Sequence, residues 1–359
     1  MNSRLAFFAA CAVLSLSWLT ATSGLAQEPE EIDVDQPLIH HLERSNIFLN
    51  IPNGKTHTAY EAQLAPSFAF RQSLPRANAR VFDSEQRAHL ATSLTFTMLV
   101  RLRQTTESSS PVRTPSYMPK LTFQLFRVKR ADAAPVTEVR AGSAVNMHTT
   151  QLTVGHYSNG QDGCLFQHQQ KIGDDCVEVV NDPPSGPLLN RKDGSFSTNY
   201  IQIGQYFRRM SLNPDLPTED LSVAAVRASS IGIAARLHKP LSGIPSGMTK
   251  ELRDLYGTTQ VMAVAERLER KQRGIFGLGP GQMRLEAFAE YLVGGPDEVP
   301  PVRLSVEISR TYDRKGGWGG FARYYYGQDY YNLGFLTTLS VLQIGLIVDQ
   351  EHLPTFKVR

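Results

Sequence analysis

Past its opening segment, the chain has no apolar run approaching the roughly 18 residues that a membrane-spanning helix needs, although 41% of its residues are hydrophobic. An excess of one charge is missing as well. With 37 basic and 34 acidic side chains the net charge is +3, too little for a nucleic-acid-binding field. Cysteine is scarce, at three in 359 residues. No G-x-S-x-G elbow is present, which removes the usual signature of a soluble α/β-hydrolase. The nine histidines show no ligand spacing such as H-E-x-x-H, and His168, close to Cys164, reads as a solvated loop residue. No internal repeat or long low-complexity segment is visible.

What is present begins with an export signal. Arg4, the apolar stretch 5–19 and the small residues Ser23, Gly24 and Ala26 supply the charged, apolar and cleavage regions of a secretory signal peptide. Residues 1–26 are therefore expected to be removed, and Cys11 with them. Cys164 and Cys176 remain as an even pair in an exported chain, where a disulfide is the default expectation. Residues 27–45, opening EPEEIDVDQP, are acidic and read as a loosely ordered periplasmic arm.

The remainder, 46–359, alternates. Leu90, Leu94, Phe96, Met98, Val100 and Leu102 share one face, and Ala91, Ser93, Thr95, Thr97, Arg101 and Arg103 the other, with Leu99 the exception. Leu121, Phe123 and Leu125 repeat the pattern, as do Leu304, Val306 and Ile308. Period two is strand patterning. Charges on the second face suit the interior of a barrel in a membrane; a soluble sandwich would turn that face outward, and periodicity alone does not separate the two.

Strands are expected at 46–51, 58–72, 88–104, 119–130, 145–159, 197–212, 221–238, 256–270, 282–293, 301–313, 317–327 and 333–348. Such an even count, about twelve, is usual for bacterial outer-membrane barrels. Thr249 also suits the cap of a helix running toward Gly274, but a strand is assigned there. GFARYYYGQDYYNLGF reads as an interfacial girdle around the last hairpin. The expected fold is all-β, a transmembrane antiparallel β-barrel with an extracellular loop inserted at 161–196.

One stretch carries chemistry. In GHYSNGQDG, Leu152, Val154, His156 and Ser158 fall on the same, lipid-facing stripe. Residues two apart on a strand lie about 6.7 Å apart at Cα, so an imidazole and a hydroxyl can meet by leaning along it. That pair is the minimum for nucleophilic acyl transfer. On the next expected strand Ser197, Asn199, Ile201 and Ile203 share a face. If the two strands pair, Asn199 can accept the Nδ1 proton of His156, an amide in the place of the usual carboxylate.

HYSNG resembles the His-x-Ser-Asn-Gly motif of the outer-membrane phospholipase A family. ESSSPVRTPSYMP (107–119) is similar to that family's extracellular Ser-Ser-Pro loop, and YYYGQDYYNLGF (324–335) to its last hairpin. The resemblance implies hydrolysis of phospholipid acyl esters at the outer membrane, with Ser158 as nucleophile, His156 as base and Asn199 as orienter. It also implies Ca2+ as cofactor and activation as a homodimer. By position the calcium contacts fall on Gln161, Ser195 and, from the second protomer, Ser109. The insert leaves Ser197 and Asp162 as alternatives to Ser195. HYSN also resembles the lipid A deacylases, and a non-catalytic porin-like barrel or a soluble periplasmic β-protein would share much of the pattern.

Overall fold

The computed structural model describes residues 32–35, 43–52, 58–83, 88–106, 112–131, 143–179, 188–213, 222–238, 248, 250–271, 281–295, 297, 299–312 and 317–358. The signal segment 1–26 lies outside them. Twelve strands close on themselves. They are β1 (Ser45–Pro52), β2 (Thr58–Leu64), β3 (Ala88–Thr105), β4 (Val112–Arg130), β5 (Ala144–Ser158), β6 (Ser197–Asn213), β7 (Ser222–Leu237), β8 (Thr259–Lys271), β9 (Gly281–Val293), β10 (Val302–Thr311), β11 (Trp318–Gln328) and β12 (Thr338–Val348). Each pairs antiparallel with the next, and β12 returns to β1 with Val348 opposite Ser45.

The alternation behaves as its chemistry requires. Inward positions of β3 such as Ser93, Thr95, Thr97 and Arg103 are buried, while Leu121, Phe123, Ile231, Ile233 and Leu346 are exposed on the outer wall. An apolar exterior around a charged interior is the inverse of a soluble protein and the pattern of a barrel in lipid. Inside, charges are paired. Arg44 bridges Glu286 at 2.9 Å and Glu307 at 2.6 Å, and Arg103 bridges Glu61 at 3.0 Å and Asp329 at 2.5 Å. Arg284 meets Asp349 at 2.8 Å and Glu351 at 3.0 Å, and also Glu266. Between these pairs a polar cavity of about 360 Å³ remains.

Apolar clusters lie toward both ends. On the side of the termini sits helix α1 (Leu74–Asp83), whose Leu74, Ala77 and Val81 pack on inward Phe126, Val128, Met147, Met210 and Leu268. Their spacing, every three or four residues, gives the helix its single apolar face. The opposite end is filled by Met248, by Leu252 and Tyr256 of helix α2 (Lys250–Tyr256), and by Leu333 and Phe335. Packed side chains at both ends argue against a porin-like open channel.

Four expectations need correction. α1 falls in what read as a strand-to-strand connection. The segment read as a strand from 256 holds α2 through Tyr256, and β8 begins only at Thr259. Residues 32–35 of the acidic arm form a short strand against 355–358. The aromatic tail is divided: Tyr324 and Tyr326 face outward, but Tyr325, Tyr331 and Phe335 are buried inside.

Because Arg284 neutralises three carboxylates in the interior, Arg284→Met leaves uncompensated charge and should cost roughly 3–5 kcal/mol. Arg267, half-exposed on the outer wall, should cost less than about 1 kcal/mol when changed to Met. Urea titration of the refolded barrel, read by its heat-modifiable band on a gel, compares the two.

Candidate active site

β5 and β6 are neighbours, and their register sets Asn199 opposite His156 and Ser197 opposite Ser158. His156 Nδ1 lies 2.7 Å from Asn199 Oδ1. An amide oxygen only accepts, so Nδ1 carries the proton and donates, and Nε2 is left as a free lone pair. Both side chains belong to the outward stripes, above exposed Leu152, Val154 and Ile203. The hydroxyl of Ser158, two residues along, has no hydrogen-bond partner among the described residues. Residues at this spacing on a strand are near enough for their side chains to meet by leaning along it.

The other letters of HYSNG have structural work. Tyr157 points inward, where its hydroxyl accepts from the Asn332 amide at 2.6 Å and donates to the Tyr330 carbonyl at 3.2 Å. It thereby ties β5 to the β11–β12 connection. Asn159 is buried and pins the outgoing and returning chain together. Its Nδ2 donates to the Gly194 carbonyl at 2.7 Å, and its Oδ1 accepts from the amides of Gln161 (3.2 Å) and Phe196 (3.0 Å). Gly160 has φ +68°, a left-handed conformation that favours glycine. Its N–H has no acceptor among the described residues, two positions from Ser158.

Three further residues escaped the sequence reading. Tyr117 lies opposite Ser158 on β4, partly exposed, with its ring beside Gly160. The end of the ESSSPVRTPSYMP segment thus lies beside the site. Tyr200, on the inner face, lies across Gly155, where a Cβ would come within 2.3 Å of its ring. His238, buried behind the pair, meets Thr198 Oγ1 at 3.0 Å, and that hydroxyl donates to the Asn199 carbonyl at 3.3 Å. Burial and then neighbouring Arg236 push its pKa down to about 3, so the ring is neutral.

The connection from β5 to β6 contains a small hairpin, Gln169–Ile172 against Asp175–Glu178, and the expected Cys164–Cys176 disulfide with a Cα–Cα distance of 5.6 Å. Ser109 lies outside the described residues. Gln161 and Ser195 are brought close by the Asn159 clamp and by the Ser195 amide donating to the Gly163 carbonyl at 2.8 Å. The Gln161 carbonyl and Ser195 hydroxyl are hard neutral oxygens of the kind calcium accepts. Asp162 is an exposed carboxylate held by Lys171 at 2.7 Å, which lowers its pKa. Ser197 faces Ser158. Among the described residues no cluster of three or more His, Cys, Asp or Glu could hold a metal ion.

No protein family and no curated protein matches the sequence. Among solved structures, outer membrane phospholipase A from Escherichia coli is similar at 12% identity and a TM-score of 0.37, over 86% of this chain and 96% of that one. An active-site mutant of the same protein gives 12% and 0.37, over 87% and 93%. The translocator domain of autotransporter NalP from Neisseria meningitidis gives 12% and 0.30, over the whole of both chains. At this level the likeness concerns fold alone.

Removing the Asn159 clamp should loosen the connection without unfolding the barrel. Asn159→Ala forfeits three side-chain hydrogen bonds, two of them buried, and amide exchange across 160–196 should quicken roughly 10- to 100-fold while that of β9–β11 is unchanged. Unaltered exchange in the loop would mean that the disulfide alone orders it.

Proposed function

We propose that this barrel is an outer-membrane hydrolase of phospholipid acyl esters, acting through Ser158, His156 and Asn199 on its lipid-facing wall. The observation that carries the reading is the 2.7 Å His156–Asn199 bond on a surface that otherwise offers apolar side chains to lipid. A polar pair at such a position is costly unless it has a task.

In this reading an acyl ester reaches Ser158 from within the leaflet, beside Tyr117. His156 Nε2 takes the Ser158 proton as Oγ attacks the carbonyl carbon, and returns it to the departing alcohol. A water molecule, deprotonated by the same nitrogen, then releases the fatty acid from Ser158. Asn199 keeps the ring in the tautomer that leaves Nε2 free. The Gly160 N–H supplies a donor near the developing oxyanion. A calcium ion, held by the Gln161 carbonyl, the Ser195 hydroxyl and Ser109 of a second copy, would add positive charge at the ester oxygen.

Ser158→Ala and His156→Ala should each lower turnover of a phospholipid in detergent by about 10⁴-fold or more. Asn199→Ala should be milder, roughly 10- to 100-fold, since nucleophile and base remain. Lipid A offered in parallel tests the deacylase alternative. Wild-type turnover in Ser158→Ala would remove the assignment.

Two or three weak neutral ligands give modest affinity, so excess chelator should abolish turnover and calcium should restore it together with the crosslinked dimer. Full activity of a chelated monomer would separate this chain from that switch.

A further inference from the structure

Among the described residues, the lipid-facing wall changes character toward the termini on the β4–β8 side of the barrel. On β4–β8 its outward positions there include Arg127, Lys129, Arg209, Arg227, Arg267 and Lys271. The register makes several of them neighbours: Lys129 faces Asn146, which faces Arg209, which faces Ser229, which faces Arg267. Glu269 is the single acid of the group. It accepts from Arg227 Nε at 3.0 Å, Arg267 Nη2 at 2.6 Å and Lys271 Nζ at 2.5 Å. One carboxylate among six cations leaves the sector strongly positive, and Arg127, Lys129 and Arg209 have no acidic partner among the described residues. At the same end of β9–β12 and β1 the outward side chains are Leu285, Ile308, Trp318, Leu346, Val348 and Ile47, with Arg310 the cation there.

The distance to the catalytic pair places this sector. Ten residues of β5 separate His156 from Asn146, about 33 Å along the strand. At a tilt of roughly 40° this is about 25 Å along the barrel axis, the height of the apolar band of such barrels. The catalytic pair and the basic sector therefore meet opposite interfaces of one bilayer.

We propose that the sector formed by Lys129, Arg209, Arg267 and their neighbours binds the phosphate groups of anionic phospholipids in the leaflet opposite the catalytic pair. The occupant follows from position and chemistry. These cations continue the wall that contacts acyl chains, and their long stems keep the charged heads at headgroup level. Guanidinium groups pair bidentately with phosphate oxygens. Lys129, Arg209 and Arg267 lie on alternate strands, about 10 Å from one to the next, so each reaches a separate headgroup. One flank of the barrel would then carry an attached set of anionic lipids, and the other would contact lipid without selection.

The test uses the full mature chain with Ser158→Ala, so that no lipid is consumed. It is reconstituted in phosphatidylcholine with a small share of spin-labelled phosphatidylglycerol or, in parallel, spin-labelled phosphatidylcholine. The motionally restricted fraction of each label gives the lipid shell. Phosphatidylglycerol should be enriched roughly 3- to 10-fold at low salt and less at high salt. Lys129→Gln/Arg209→Gln/Arg267→Gln should bring it to parity in protein whose heat-modifiable band shows it folded. If that variant does not fold, the single changes are read and should each lower the enrichment. Replacing both arginines by lysine should retain most of it. Equal shells in the parent chain overturn the proposal, as does enrichment that survives in the folded variants. Loss of enrichment on adding inorganic phosphate at constant ionic strength would also overturn it, because the ligand would be a free anion.

Discussion

The sheet can exist in lipid only because β12 pairs with β1 and leaves no edge. In a hydrocarbon medium every backbone N–H and C=O has to find its partner within the protein, and a closed ladder of twelve strands supplies those partners. The other features follow from that closure. Once the ladder is closed, alternate side chains are committed to two different media. The outer set becomes apolar, and the inner set carries charges that are tolerable because most are ion-paired, while Arg101 and Arg236 are held by glutamine oxygens and tyrosine rings. The ends, where the two media meet water, are filled by α1 on one side and by α2 with the β11–β12 connection on the other.

Closure also explains how the His156–Asn199 pair is held on a surface facing lipid. His156 and Asn199 are far apart in sequence, yet the register of β5 and β6 sets them opposite each other with no help from the chain between. Behind them the inner face is rigid: Tyr200 lies across Gly155, Tyr157 is bonded to the β11–β12 connection, and His238 reaches the Asn199 carbonyl through Thr198. The outer surface carries the reactive groups, and the charged interior fixes their backbone.

Much of this was legible in the sequence because period two is a strong signal over strands this long. The strands and the outward stripe of Leu152, Val154, His156 and Ser158 follow from counting by twos, and the pairing with Asn199 follows once β5 and β6 are neighbours. What escaped has a common cause. α1 and α2 are short, and two or three turns of amphipathic helix between strands leave little periodicity to read. The ion pairs join strands far apart in sequence, so Arg284 could be placed inside but its three partners could not be named. Asn159 stands in the sequence only as the fourth letter of HYSNG. That it clamps both stems of the following loop is visible only when Gly194 and Phe196 stand beside it. Tyr325 followed the alternation strictly, and grouping it with Tyr324 and Tyr326 by aromaticity overrode the better rule.

The clamp at Asn159 separates two evolutionary fates. Below it the chain is bound to the ladder, and inserting or deleting a residue would turn every following side chain to the opposite face. Above it, from Gly163 to Gly194, the polypeptide leaves and returns at a fixed gate, and its disulfide is internal to the excursion. Such a segment can lengthen, shorten or be exchanged while the geometry of His156 and Asn199 stays as it was. It gives natural variation, or a protein engineer, a place to graft a new surface beside an unchanged pair.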